Sequence, residues 1–196
     1  MRNPLVTRET ILKKAGVLFN TFGYKSTSLS NITDATGLTK GAIYKHFDNK
    51  DKLEIETFHY LSGSVLSKLR EGTAHETSAV RKLKLIFNFF ESYTVNPPLK
   101  GGCPLLNAAI EADDTNPALR KEAIRLLHHL HESLLEIFNN GIKQGELKPN
   151  MDKDHYATLI IANLEGGIML SKLEGNPVAI KRIIKHLNGL LKEIQV

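Results

Sequence analysis

The spacing of apolar residues constrains the fold of this chain more than any other feature of its sequence. Before Gly23, apolar residues recur at intervals of three and four positions, at Ile11, Ala15, Leu18 and Phe22. This is the period of an amphipathic α-helix, and later segments repeat it. Alternating runs of β-branched and aromatic residues, which are typical of strands, extend over no more than a few positions. The sequence therefore predicts an all-α protein.

Capping residues and helix breakers divide the chain into nine predicted helices. The first three begin at Thr7, at Thr27 or Ser28, and at Thr39, and they end at Gly23, at Gly37 and near Phe47. The other six are predicted near residues 50–70, 76–95, after Gly101-Gly102, and near 117–140, 152–173 and 177–194, with Gly72 and Asn140-Gly141 as stops. We therefore predict a three-helix domain at residues 1–48 and a six-helix domain at residues 49–196.

The net charge of +5 lies entirely in the N-terminal segment. Residues 1–47 contain seven lysines and arginines but only Glu9 and Asp34 as acids, and the remaining residues carry equal numbers of cations and anions. A basic segment joined to a neutral body favours contact with a polyanion such as nucleic acid. The alternative is a solvated face that happens to be rich in lysine.

Several classes of protein are disfavoured. The sequence has no apolar stretch of the ~20 residues that a membrane span requires and no signal-peptide core, so we expect a cytoplasmic protein without a membrane partner. Its one cysteine, Cys103, allows neither an internal disulfide nor a cysteine-based zinc site.

Helices two and three have the layout of a helix-turn-helix, in which the second helix enters the DNA major groove. Gly37-Leu38 form the predicted turn, and the second helix presents small or cationic residues, namely Thr39, Lys40, Gly41, Ala42 and Lys45. Lysine can donate to guanine, and threonine and alanine methyl groups can contact the thymine methyl. An ordinary surface helical hairpin would have the same spacing.

The run from Ile32 to Leu53 resembles the signature of the TetR family of bacterial transcriptional repressors. The matching features are Gly37, the pair Gly41-Ala42, the run Tyr44-x-His46-Phe47 and Lys50-x-x-Leu53, with Phe19, Gly23 and Thr27 upstream. The resemblance covers roughly residues 7–55. Beyond them, only the all-helical layout is similar to the family.

The resemblance implies that Tyr44, His46 and Lys50 bind the DNA backbone, together with Thr27 and Ser28 at the start of helix two. Hydroxyls and helix N-terminal amides bind phosphate without reading the base sequence, which agrees with a role of these residues at the DNA backbone. The chain departs from the family pattern at three positions. Thr33 and Thr36 replace the usual alanine, where a threonine must bond back to its own helix or face solvent, and Lys45 replaces a frequent tyrosine.

The favoured function is a ligand-responsive transcriptional repressor that binds a palindromic DNA operator as a homodimer and is released by a small, mostly apolar effector. We expect no enzymatic activity and no cofactor. One alternative is an all-α enzyme that depends on Cys103 or on histidines, and another is a DNA-binding protein without an effector. Helix four, through Phe58, Leu61, Val65 and Leu69, is expected to transmit effector binding to the DNA-binding helices.

The expected effector site combines aromatic, polar and titratable residues of the second domain. The candidates are Phe87, Phe90, Tyr93, Cys103, Asn107, His128, Tyr156 and Asn163. The aromatic residues can equally be core, and Cys103 can be a redox sensor or a small buried apolar side chain.

No metal site is expected. His128, His131 and Glu132 share a helical face, but no second cluster of ligands accompanies them. The step Glu56-x-x-His59 occurs once, whereas di-iron bundles need it twice.

The last helix predicts a dimer in which the final helix pairs of two copies form a four-helix interface. One side of the helix would face its own core and the other side a second copy, and the alternative is a helix buried wholly within its own subunit. The apolar stripe of the last helix is wider than one packing partner requires and consists of Ile180, Ile183, Ile184, Leu187, Leu190, Leu191 and Ile194. Gly166-Gly167 in the preceding helix permit close approach, and a charge at Leu187 or Leu191 is expected to dissociate the dimer.

Overall fold

The computed structural model describes residues 4–93, 95–112 and 116–196. The all-α prediction is confirmed: these residues contain nine α-helices and no strand longer than an isolated bridge between Leu147 and Gln195. The helices are α1 (Pro4–Phe22), α2 (Leu29–Thr36), α3 (Lys40–Tyr44), α4 (Lys50–Thr73), α5 (Ala79–Ser92), α6 (Pro104–Ala112), α7 (Pro117–Lys143), α8 (Lys153–Glu174) and α9 (Val178–Ile194).

Local capping accounts for the bounds of the short N-terminal helices. Ser28 caps α2 and Thr39 caps α3, each accepting a hydrogen bond from a backbone N–H of the first turn. Gly37 ends α2 in the left-handed conformation with φ of 69°, which glycine adopts without the penalty of a Cβ atom. The caps predicted at Thr39 and Gly37 are therefore confirmed, and Ser28 rather than Thr27 caps α2.

Two predicted helix stops are wrong. Helix α4 continues through Gly72 to Thr73, and α7 continues through Asn140 and Gly141 to Lys143. A Cβ atom at Gly141 would lie 2.7 Å from the Cβ of Ala79 and 2.6 Å from a methyl carbon of Leu147. This glycine therefore serves close packing between segments, and its cost in helix propensity, about 1 kcal/mol, does not end the helix.

The chain divides into two compact units. Unit 1 consists of Met1–Val65 and Leu99–Leu126, and unit 2 consists of Leu66–Pro98 and Leu127–Val196. Two of the three boundaries between the units fall within α4 and α7, and the third lies between α5 and α6. The boundary predicted between residues 48 and 49 separates a DNA-binding domain from an effector-binding and dimerisation domain, and it stays a prediction.

Unit 1 is built around α1, which packs against α2. Its fully buried apolar residues include Ile11, Phe19, Ile32, Ile43 and Leu53. Asn20 and Asn107 join α1 to the segment that precedes α6. The Asn20 amide donates to the carbonyls of Lys100 and Gly102 at 2.8 and 2.9 Å, and the Asn107 amide donates to the Asn20 side-chain oxygen at 2.9 Å.

Unit 2 packs α5, α8 and α9 around one apolar core. Most of the α9 stripe faces this core, because Ile180, Ile184, Leu187, Leu191 and Ile194 are all at most 5% exposed. Leu187 and Leu191 therefore lie in the core of their own subunit, which contradicts the expectation that they face a second copy. A charge there would be buried in the core of its own subunit and would destabilise the fold instead.

Gly166 and Gly167 also differ from expectation. A Cβ atom at Gly167 would lie 2.7 Å from the Cδ1 atom of Ile180, so this glycine allows α8 and α9 of one subunit to approach each other. A Cβ atom at Gly166 would meet nothing within 4 Å. Of the two glycines, only Gly166 is available for contact with another molecule.

Two kinds of structure are not found among the described residues. No helix there is long and apolar enough to cross a bilayer. No group of three or more histidine, cysteine, aspartate or glutamate side chains in that part of the chain could hold a metal ion. His131 lies 3.7 Å from Asp154, and His128 and His129 are exposed.

Candidate nucleic-acid interface

The turn between α2 and α3 is fixed by hydrogen bonds within a few residues. Ser28 and Asn31 form a capping box, in which the Ser28 N–H donates to Asn31 Oδ1 at 2.8 Å. At the other end of α2, the Gly37 N–H donates to the Thr33 carbonyl at 2.8 Å. The Thr39 hydroxyl accepts from the Ala42 N–H at 3.2 Å and starts α3. The orientation of α3 is therefore set locally.

Burial of one side of α3 leaves its opposite side free for a ligand. Ile43 is fully buried and Phe47 is 2% exposed, so both anchor the helix to the core of unit 1. The opposite side exposes residues that are small, hydroxylated or cationic, namely Thr39, Lys40, Gly41, Tyr44 and Lys45. A Cβ atom at Gly41 would meet nothing within 4 Å. At this position, α3 therefore exposes its backbone to solvent with no side chain over it, next to its lysines.

Thr33 and Thr36 do not disturb the hairpin. Their hydroxyls donate to carbonyls of their own helix, those of Ser30 and Ile32, each at 2.7 Å. This is the back-bonding that allows threonine to occupy a helix without an unpaired polar group.

The residues expected at the DNA backbone are placed in different environments. Tyr44 is 45% exposed, Ser28 is exposed, and His46 is half-buried. Ala42, which is expected at the base edges, is also half-buried. Thr27 is buried, and its hydroxyl donates to the Gly23 carbonyl at 2.7 Å. The Thr27 side chain therefore stabilises the turn between α1 and α2.

Lys50 is held at the start of α4. Its ammonium group donates to the Tyr24 carbonyl at 3.0 Å and lies 3.1 Å from Glu54 Oε1. An ammonium group has three donors, so one hydrogen atom remains for a further acceptor such as a phosphate oxygen. Arg8, in contrast, pairs with Glu56 and lies over the Phe47 ring at 5.1 Å.

Unit 2 contains an apolar cavity of about 70 Å³. Residues from four helices line it, namely Leu69, Ile86, Phe90, Leu130, Ser133, Leu134, Ile137, Ile160, Ile161, Leu164 and Glu165. The α7 residues among them follow the helical period, which is the signal in the sequence that could have identified this lining.

Of the eight candidate effector residues, Phe90 lines this cavity and the other seven do not. Phe87 and Tyr93 are buried, Tyr156 is half-buried against the core, and His128 is exposed. The half-buried Asn163 donates to the Leu159 carbonyl at 2.8 Å.

The two remaining candidates belong to the other unit. Cys103 and Asn107 are in unit 1, where Cys103 is 8% exposed and Asn107 binds Asn20. The structure therefore does not bring the eight candidates together at one cavity.

Comparisons with known proteins agree with this architecture along the whole chain. The family model described as "Bacterial regulatory proteins, tetR family" matches residues 11–56, and the one described as "Tetracyclin repressor-like, C-terminal domain" matches residues 79–187. A relative from Mycobacterium sp. (strain GP1), the HTH-type transcriptional repressor DhaR, is 25% identical over 174 residues, which cover 86% of this chain and 84% of that protein.

Two solved structures are similar over the full length. A TetR transcriptional regulator from Chloroflexus aurantiacus J-10-FL is 37% identical with a TM-score of 0.95, and a TetR-family regulator from Cytophaga hutchinsonii is 33% identical with a TM-score of 0.92. Each alignment covers 100% of this chain and 98% of the other. The resemblance found at residues 7–55 is therefore confirmed and extends to the second part of the chain. This protein belongs to the TetR family and is a helix-turn-helix transcriptional regulator.

Proposed function

We propose that this regulator is a repressor that binds a palindromic operator as a homodimer and is released by a small apolar effector. The observation that carries the proposal is the exposed polar and cationic side of α3, on a helix that Ile43 and Phe47 anchor to the core. Cys103 is buried, and no described cluster suggests catalysis. We infer that the protein acts by binding alone.

The residues on α3 divide into two groups by their chemistry. Lys40 and Lys45 can donate to guanine, and Thr39, Gly41 and Ala42 allow the helix to approach base edges. Tyr44, His46 and Lys50 would bind the phosphates on either side. At the start of α2, Ser28 and the backbone N–H groups of the first turn would add a phosphate contact, and Thr27 would support that turn.

Selection from a random duplex library tests operator binding. One recognition helix covers only a few base pairs, so a twofold dimer requires an inverted repeat with half-sites about 10 base pairs apart or a larger, turn-related distance. Fluorescence anisotropy would then compare the selected duplex with a scrambled one. Equal affinities for the two duplexes would contradict sequence-specific binding.

The exposed side of α8 is the proposed dimer surface. Five residues at helical spacing lie on it, namely Ala162, Gly166, Met169, Leu170 and Leu173. Met169, Leu170 and Leu173 are 44%, 42% and 83% exposed, which is unusual for adjacent large apolar side chains. The half-buried Ile183 and Leu190 of α9 would extend the surface. A second copy is the proposed partner because a twofold operator requires one.

The apolar cavity of unit 2 is the proposed effector site. Apolar side chains form most of its wall, and Ser133 and Glu165 supply a few polar groups, which is a common composition for small-molecule sites. Leu69 of α4 belongs to this wall, and Lys50 begins the same continuous helix. A ligand that displaces Leu69 would move α4 and thereby change how Lys50 meets the DNA. Coupling of about 1–3 kcal/mol is usual for such linkage.

Replacement of Ser133 by phenylalanine is expected to prevent binding of an apolar ligand, because the aromatic ring would occupy the cavity. The measurement is a titration with xenon that is followed by the xenon NMR chemical shift, because a single apolar atom of this size fits a cavity of about 70 Å³. Leu173→Phe, at a side chain that is 83% exposed, is the control and should bind the probe normally. Unchanged affinity of the Ser133→Phe variant would place the effector elsewhere.

A further inference from the structure

Unit 1 contains a second cavity, larger and more polar than the one in unit 2. Its volume is about 220 Å³. Four separate segments line it, contributing Tyr24, Lys25, Asp51, Glu54, Glu111, Asn116 and Leu119. None of these residues belongs to the exposed side of α3 or to the apolar cavity, so neither site accounts for them.

Glu54 is the central carboxylate of this cavity. It is 5% exposed, and its Oε2 atom accepts from the Asn116 amide at 2.8 Å, while Oε1 lies 3.1 Å from the Lys50 ammonium. Burial raises the pKa of Glu54, and the hydrogen bond from Lys50 partly opposes this shift. Asp51 and Lys25 are exposed, so the cavity runs from solvent at these two residues to the buried Glu54.

Tyr24 supplies a polar group without a partner among the described residues. The residue is 3% exposed, its ring stacks on Phe19 with centroids 5.0 Å apart, and its hydroxyl makes no hydrogen bond to any residue of the ranges 4–93, 95–112 and 116–196. Burial raises the pKa of Tyr24, and the negative charges of Glu111 and Glu54 raise it further. A buried hydroxyl without a partner is rare in folded proteins. Because Tyr24 lines the cavity, this hydroxyl can bind a polar group that enters there.

The charges identify the chemical class of that ligand. Asp51, Glu54 and Glu111 contribute three carboxylates, against the ammonium groups of Lys25 and Lys50, so the cavity favours a cation. No three acidic groups of the described chain are close enough to hold one metal ion. Carboxylates that separate segments contribute to one cavity suit an organic ligand whose N–H donors are also separated, since each donor can reach a different acceptor.

We propose that this cavity binds a small organic ammonium ion, with Glu54 as its buried counter-ion and Tyr24 as a hydrogen-bonding partner. The site is separate from the proposed effector cavity of unit 2. Binding there does not require DNA, so failure of this proposal would leave the proposed repressor function standing.

Isothermal titration calorimetry of the full-length protein with 1,4-diaminobutane tests the site. Measurable binding is expected, and 1,4-butanediol, which has the same chain length without charge, is expected not to bind. Glu54→Gln should weaken diamine binding by about tenfold or more, because the variant cannot form the charge-assisted hydrogen bond. Glu9→Gln makes the same change at an exposed carboxylate of the same unit and should leave the affinity unchanged.

Tyr24→Phe separates a ligand contact from a structural role. The hydroxyl has no partner in the part of the chain that the structure describes, so its removal should not lower the thermal unfolding midpoint, yet it should weaken diamine binding severalfold. Asp51→Asn, at an exposed position, replaces Glu54→Gln if that variant does not fold.

Three outcomes would overturn the proposal. The first is that the diamine releases or absorbs no heat of binding, and the second is that the diol binds as tightly as the diamine. The third is that the affinity for the diamine is the same in the wild type as in the Glu54→Gln and Asp51→Asn variants. Binding of Mg²⁺ in place of the diamine, with the same dependence on Glu54, would assign the cavity to an inorganic cation instead.

Discussion

Replacement of Leu170 by glutamate is expected to convert the proposed dimer into a monomer of 21.9 kDa and to reduce operator affinity at least a hundredfold. Leu170 is 42% exposed on the apolar side of α8, where a second copy would bury the new charge without a partner. Joining two binding modules raises affinity by about 10²–10⁴-fold through effective concentration, and a monomer loses this gain. Sedimentation velocity and fluorescence anisotropy would measure the two effects.

Two controls distinguish the interface from the core. Ile110→Glu changes a side chain that is 67% exposed on α6 and should leave both the dimer and operator binding intact. Leu187→Glu places the charge in the core of unit 2 and should reduce helicity by circular dichroism. A Leu170→Glu protein that sediments as the wild-type dimer would move the interface away from this side of α8.

Replacement of Lys45 by alanine is expected to weaken operator binding by about 2–6 kcal/mol, which is roughly 30-fold to 10⁴-fold. A good contact between a side chain and a base is worth about 1–3 kcal/mol, and each substitution in a twofold dimer acts at both half-sites. Binding to a scrambled duplex should change little, because Lys45 would read bases. Lys185→Ala, at an exposed lysine of α9, is the matched control.

The salt dependence identifies the part of the DNA that Lys45 touches. If Lys45 binds phosphate, its removal should weaken operator and scrambled duplex alike and reduce the slope of log affinity against log salt by about one per phosphate that it neutralises. Lys50→Ala is expected to weaken binding to both duplexes and to reduce the salt slope, because the Lys50 ammonium group retains one donor for a phosphate. Equal decreases in affinity for both duplexes in Lys45→Ala would exclude base reading by this residue.

Local signals predicted the caps of α2 and α3 well. Thr39 and Gly37 act within three or four residues of themselves, so their roles as caps depend little on the rest of the chain. The same reasoning failed at Gly72 and Gly141. A helix end depends on the balance between a propensity of about 1 kcal/mol and tertiary packing, and packing around Gly141 involves Ala79 and Leu147, which local spacing cannot reveal.

The parts that sequence reasoning missed depend on distant residues. The stripe on α9 was visible, but which of its residues faced the core depended on where α5 and α8 lie. The polar cavity of unit 1 joins Tyr24, Glu54, Glu111 and Asn116, and no spacing rule connects these four positions. Such sites become evident only when burial and hydrogen-bond partners are known for each polar group.

The bonds from Asn20 to Lys100 and Gly102 have a consequence for biosynthesis. Lys100 and Gly102 lie 80 and 82 residues after Asn20 in the chain. At about 5–20 residues per second, the ribosome needs on the order of 4–16 s to add that many residues. Once residue 44 has been added, the emerging chain has all the residues of α3, but until residue 102 it lacks the carbonyl groups that bind Asn20. Premature termination before residue 99 would therefore release a fragment that cannot complete unit 1, and we expect such a fragment to bind DNA less tightly than the intact regulator.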